Sequence, residues 1–140
     1  MSKRTIVSLS YLLVIVISIL TGCNNREFEK KYESFKTSYL KVTEVLDLKD
    51  PFGSIEKLNQ ESIIEEMNIM KDIADQMEQE ASSDSEKRIY NNVATFYSGL
   101  EYLQYAAQKK EELTEDERGR LDSELTSAVV RRKSIIQGEL

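Results

Sequence analysis

From residue 28 onward, apolar side chains recur at alternating intervals of four and three. The first series is Phe28, Tyr32, Phe35, Tyr39, Val42 and Leu46; the second is Ile63, Met67, Met70, Ala74 and Met77. A third runs Ile89, Val93, Phe96, Leu100, Leu103 and Ala107. Such spacing places each series on one stripe of a helix. The fourth series is less regular: Leu121, Leu125 and Ala128 are followed by Arg132 where an apolar residue is due, then by Ile135, with Val129 and Ile136 widening the stripe. Nothing after residue 23 alternates with the period of two that marks a strand. The pattern predicts helices over about 27–48, 59–80, 85–112 and 115–137.

The intervals between these stripes carry turn and cap residues. Asp50-Pro51-Phe52-Gly53 is a turn signal between the first two helices. The run Ala81-Ser82-Ser83-Asp84-Ser85 separates the second from the third and offers several good caps. Thr114-Glu115-Asp116-Glu117 has the capping-box spacing, and Gly138 sits where a helix stop belongs. Amphipathic helices on short connections usually bury their stripes in a bundle. The predicted fold is therefore all-α, an antiparallel up-down four-helix bundle spanning 27–140. A three-helix bundle with one loosely docked helix is the alternative. A weak echo between the halves at an offset of 55 residues sets Phe35 opposite Tyr90 and Met70 opposite Leu125; any two amphipathic hairpins of similar length would do the same.

The amino terminus has a different pattern. Lys3 and Arg4 precede an apolar run from Ile6 to Leu20, broken only by three serines. About 15 residues suit the core of a secretion signal, whereas a spanning helix needs roughly 20. The run closes on Leu20-Thr21-Gly22-Cys23, which resembles the lipobox of bacterial lipoproteins. The resemblance covers residues 1–23 only. It implies removal of a signal peptide, residues 1–22, by a cut between Gly22 and Cys23. It further implies a diacylglycerol on the Cys23 thiol, so that the membrane partner is held through covalent lipid. Residues 23–26 then form a short tether of about 10 Å. Asn24, after the cysteine, is not the acidic retention residue of Gram-negative sorting. The absence of histidine and the Lys, Glu, Ile and Asn content favour a Gram-positive surface. The expected location is the extracytoplasmic face of the cell membrane.

Charge and composition narrow the functions. Lys3 and Arg4 leave with the signal, so 17 basic side chains face 25 acidic ones, a formal charge of −8. Such a domain is repelled by nucleic acid and by anionic lipid, so nucleic acid is not an expected partner and membrane attachment calls for a tether. With no histidine and only one cysteine in 140 residues, neither an internal disulfide nor His-based acid–base or metal chemistry is possible. There is no phosphate-cradling loop and no calcium-loop spacing. The chain reads as a non-enzyme with no cofactor, no metal and no catalytic residues.

The remaining candidates lie at the ends of the expected bundle. Phe52, between Pro51 and Gly53, is a rigid aromatic at the end far from the lipid, and Glu115, Asp116 and Glu117 fall beside it; together they form a candidate partner-binding tip. The same ring has a simpler role available, covering the bundle's open end with Ile55 and Leu58. Arg131, Arg132 and Lys133, with Lys87 and Arg88, are expected at the near end, as basic groups facing the headgroups. Helix-dipole matching is the plain explanation for the first three. The aromatics of the third helix (Tyr90, Phe96, Tyr97, Tyr102 and Tyr105) suit either a ligand cavity or a central core position. Two functions follow: an interaction module that blocks or regulates an envelope protein, in the manner of exclusion or immunity lipoproteins, or a receptor for a small apolar ligand held between the helices.

Overall fold

The computed structural model describes residues 26–140; the predicted signal peptide (1–22), the predicted Gly22–Cys23 cut, the predicted lipidation site Cys23, Asn24 and Asn25 lie outside the described residues. The described residues are all-helical, with five α-helices and no strand. Helix α1 spans 26–43. It is followed by α2 (Pro51–Glu56), α3 (Glu61–Glu80), α4 (Asp84–Lys109) and α5 (Glu115–Ile136). Short 3₁₀ turns at Lys57–Asn59 and Lys110–Glu112 extend α2 and α4.

Helix α1 ends five residues earlier than the stripe predicts. The Thr43 hydroxyl donates to the Tyr39 carbonyl at 2.7 Å, and Arg132 donates to the Thr43 carbonyl and, at 3.4 Å, to that of Leu46. Arg132 thereby satisfies carbonyls that a continuing helix would have used, while the Thr43 hydroxyl only doubles a bond already inside the helix. Leu46 nonetheless stays on the stripe and is buried. The expected turn at residues 50–53 is itself a helix start. Asp50 is the N-cap, its carboxylate accepting the Gly53 N–H at 3.1 Å, and Pro51 occupies the first turn, where its missing N–H costs nothing. A Cβ on Gly53 would lie 2.2 Å from the Asp50 carboxylate and displace that cap. Turn signals and helix starts use the same residues, which is why the sequence concealed α2.

The stripes meet in one core, where Phe35, Tyr39, Met70, Val93, Leu100 and Leu103 are fully buried. Helices α3 and α4 are antiparallel across the short connection at 81–83. So are α1 and α3, as Lys31 pairs with Glu80 and Lys41 with Glu66. Helices α4 and α5 are antiparallel as well: Tyr102 donates to the Glu117 carbonyl at 2.9 Å, and the Arg131 guanidinium covers the Phe96 ring at 4.7 Å. The contact between α1 and α5 is different. The Tyr39 hydroxyl reaches the Ala128 carbonyl at 3.5 Å, and Arg132, four residues on, reaches Thr43, also four residues on. The Leu140 carbonyl then accepts from Lys36 at 2.9 Å, further back along α1. Helix α5 therefore crosses α1 obliquely.

Candidate functional site

The end of α1, all of α2, the α4–α5 connection and the start of α5 gather at one tip, opposite the end where α1 begins at Arg26. Local sequence fixes each piece. Pro51 and the Asp50 cap start α2, and the Ser54 hydroxyl donates to the Pro51 carbonyl at 3.0 Å and that of Asp47 at 3.3 Å. Ile55 and Leu58 point inward and are 0% exposed, so they close the end of the core. Phe52, on the same short helix, is 38% exposed and points out beside the Arg118 guanidinium, 5.8 Å from its ring centre.

Helix α5 starts on a complete capping box. Glu117 N–H donates to the Thr114 hydroxyl at 3.3 Å, and the Glu117 carboxylate accepts the Thr114 N–H at 2.8 Å. The same carboxylate accepts from the Tyr105 hydroxyl at 2.9 Å and from Lys109 at 3.0 Å. The Thr114 N–H above all, then Lys109 and Tyr105, hold the Glu117 carboxyl down at about 2. Arg118 donates to the carbonyls of Leu113 at 3.2 Å and Glu111 at 3.3 Å. Lys110 reaches across to Glu56 at 2.8 Å, and Gln104 donates to the Leu58 carbonyl at 3.5 Å. Every connection at the tip is thus tied to a neighbouring helix.

Between α2 and the 110–112 turn lies a surface groove of about 310 Å³, lined by Phe52, Glu56, Lys110, Glu111 and Arg118. A second groove, about 460 Å³, runs over Tyr102, Tyr105, Asp116, Glu117 and Arg120, where the Arg120 guanidinium sits 4.0 Å above the Tyr102 ring. The sequence-derived tip residues divide between these grooves. Phe52 belongs to the first and Asp116 to the second, while Glu115 is exposed in the first turn of α5. Glu117 lines the second groove, but its carboxylate is already filled by internal donors.

The groove residues Glu56, Lys110 and Arg118 were not legible in the sequence. Arg118 sits one turn into α5, and nothing in the sequence marks it off from the other charged residues there. The meeting of Glu56 with Lys110 depends on how α2 packs against α4. Lys110 has φ 48° and ψ −111°, a region that glycine alone enters freely. Lys110→Gly is expected to raise stability by about 1 kcal/mol, relief of backbone strain outweighing the added freedom of the unfolded chain. That is a rise in melting temperature of roughly 4 °C. Lys110→Ala, which removes the exposed ion pair alone, should leave the melting curve nearly unchanged. A glycine variant that melts lower would show that the backbone there is relaxed.

The basic residues do not collect as the sequence suggested. Lys87 and Arg88 open α4, beside the start of α1 and the end of α3. Arg132 instead bonds the last carbonyls of α1, twelve residues beyond Lys31, or about 18 Å along the helix. Arg131 is half-buried over Phe96 with its Nη1 buried and unpartnered. Lys133 alone of the three is exposed. Of the three, Arg131 is thus directed at Phe96 and Arg132 at the end of α1, and only Lys133 is left to solvent.

The α4 tyrosines mostly line the rim of the core. Tyr102 is buried, Tyr90 and Tyr97 are half-buried beside acidic side chains, and Tyr105 is exposed. Burial, then Glu101, pushes the Tyr97 hydroxyl up to about 12. Among the described residues no group of three or more acidic, histidine or cysteine side chains is placed to hold a metal. No helix there is long and apolar enough to cross a membrane. The chain matches no protein-family model, no curated protein and no solved structure.

Proposed function

We propose that this chain is a lipid-anchored, non-enzymatic interaction module on the extracytoplasmic face of the cell membrane. Its distal tip docks an envelope protein and thereby blocks or regulates it. The four long helices are read as an antiparallel up-down bundle whose consecutive members are neighbours, with α5 tilted across α1. Its anchor is the lipid on Cys23, three residues before α1 starts. The eighteen residues of α1 span about 27 Å, so the α2 end faces away from the bilayer.

One observation carries the reading. Phe52 stays exposed although Ile55 and Leu58, on the same short segment, are completely buried. The end of the core is already closed without it, so the ring is not needed as a lid. A rigid aromatic framed by an arginine, on a tip whose connections are all tied down, is the composition and preorganisation of a binding hot spot.

A photoreactive amino acid at position 52 of the full-length protein, illuminated in living cells, tests the tip. One discrete adduct with an envelope protein is expected, and it should vanish when the probe is moved to Lys71 on the exposed side of α3. The anchor is tested by Cys23→Ser, which is expected to release the protein from membranes. No adduct at position 52 would remove the docking role, and a Cys23→Ser protein still in the membrane fraction would remove the anchor.

A further inference from the structure

We infer that the groove between α2 and the 110–112 turn accepts a basic protein segment presenting a single apolar side chain. This rests on the reading of the tip as a docking face and names the chemistry of the partner. The floor of the groove supplies the apolar contact. The Phe52 ring is its one large hydrophobic surface, and Pro51 with the Asp50 cap fixes the helix that carries it. A ring of that size accommodates one aromatic or aliphatic side chain, not an extended apolar strip.

The charge of the partner follows from which groups are already occupied. Both cations of the groove are engaged internally: Lys110 with Glu56 at 2.8 Å, and Arg118 with the carbonyls of Leu113 and Glu111. The acids around it are not. Glu111, Glu112 and Glu115 are exposed, and none forms an ion pair among the described residues. Glu115 is one helical turn before Arg118 on α5, and Glu111 lines the groove itself. The Lys110–Glu56 pair cancels, whereas the carbonyls leave the Arg118 charge in place. Glu111, Glu112 and Glu115 outweigh that single charge, so the rim is net negative and complements lysines or arginines on either side of an apolar anchor while repelling an acidic segment.

The chain contains no tryptophan, so the emission of a tryptophan peptide reports its own burial. The probe is a five-residue peptide with one tryptophan between two pairs of lysines, titrated with the full-length protein in a nonionic detergent. The expected result is a saturable blue shift, weakened at least tenfold by Phe52→Ala and by joint Glu111→Lys and Glu112→Lys. Added salt should weaken it, and a glutamate-flanked peptide should show none. The three substituted side chains are exposed, so unchanged helical circular dichroism is expected in both variants. Equal binding of the glutamate-flanked peptide, indifference of the lysine peptide to both variants, or no saturable shift with the parent protein would each overturn the inference. The docking reading fails separately: an adduct at position 52 whose partner segment is acidic ends this inference alone.

Discussion

Replacing Tyr39 by alanine is expected to lower the unfolding free energy by about 3–5 kcal/mol, a large part of the 5–15 kcal/mol typical of a domain. Tyr39 is 0% exposed and touches two helices besides its own. Its ring lies 5.2 Å from that of Phe96 on α4 and 6.3 Å from that of Phe35 on α1, and its hydroxyl reaches the Ala128 carbonyl of α5. Truncation would open a cavity where α1, α4 and α5 cross, and the oblique packing of α5 leaves few side chains able to collapse into it. The melting temperature should fall by more than about 10 °C. Tyr39→Phe separates ring from hydroxyl. The hydroxyl contact is long at 3.5 Å, so this variant should cost no more than about 1 kcal/mol. Burial pushes the Tyr39 hydroxyl up to about 12, with Arg131 partly opposing it, so the contrast should hold at any pH below that. A Tyr39→Ala protein within about 1 kcal/mol of the parent would mean that α5 is not held against α1.

Acid is expected to destabilise the protein through Glu86, the buried half of the α4 capping box. Glu86 is 7% exposed and accepts from the N–H groups of Ser83 at 2.9 Å and Ser82 at 3.0 Å and from the Ser82 hydroxyl at 2.9 Å. These donors, the Ser83 N–H foremost, hold its carboxyl down from 4.5 to about 2. The folded value is below the unfolded one, so the stabilisation is fully present above about pH 4.5 and is lost as the pH falls towards 2. Its size is on the order of 2–3 kcal/mol. Glu117, also held at about 2, titrates in the same window, so the parent should lose stability steeply there. Glu86→Gln keeps the shape of the cap but not the charge. It should be less stable at pH 7 and show a shallower decline below pH 4.5, measured by urea unfolding at a series of pH values. Parallel curves for parent and Glu86→Gln would show that the charge on this carboxylate does not stabilise the fold.

These two residues mark how far the sequence can be read. Ser83 and Glu86 are three apart, as are Thr114 and Glu117, and a capping box needs only neighbours along one chain; both boxes are present in the structure. The Tyr39 stripe was equally visible, because burial of one helix face follows from a local period whatever the helix packs against. The identity of α2 was hidden, since Asp-Pro-Phe-Gly serves a turn and a first helical turn with the same φ restriction and the same side-chain acceptor. The early end of α1 was hidden too, because it is sealed by Arg132 from 86–89 residues away.

What the sequence determined by itself is therefore the four long helices, the faces they bury and the residues that start α4 and α5. All of these depend on interactions within about four residues. The tertiary structure alone decided that α5 crosses α1 obliquely, and that Arg131 and Arg132 turn inward instead of joining Lys87 and Arg88. It also decided that Phe52 shares a groove with Glu56, Lys110 and Arg118. Those outcomes depend on where helix faces meet, and many packing angles bury the same stripe equally well. The choice among them is made by the shapes of side chains such as Tyr39 and Phe96, distant in the chain and in contact only after folding.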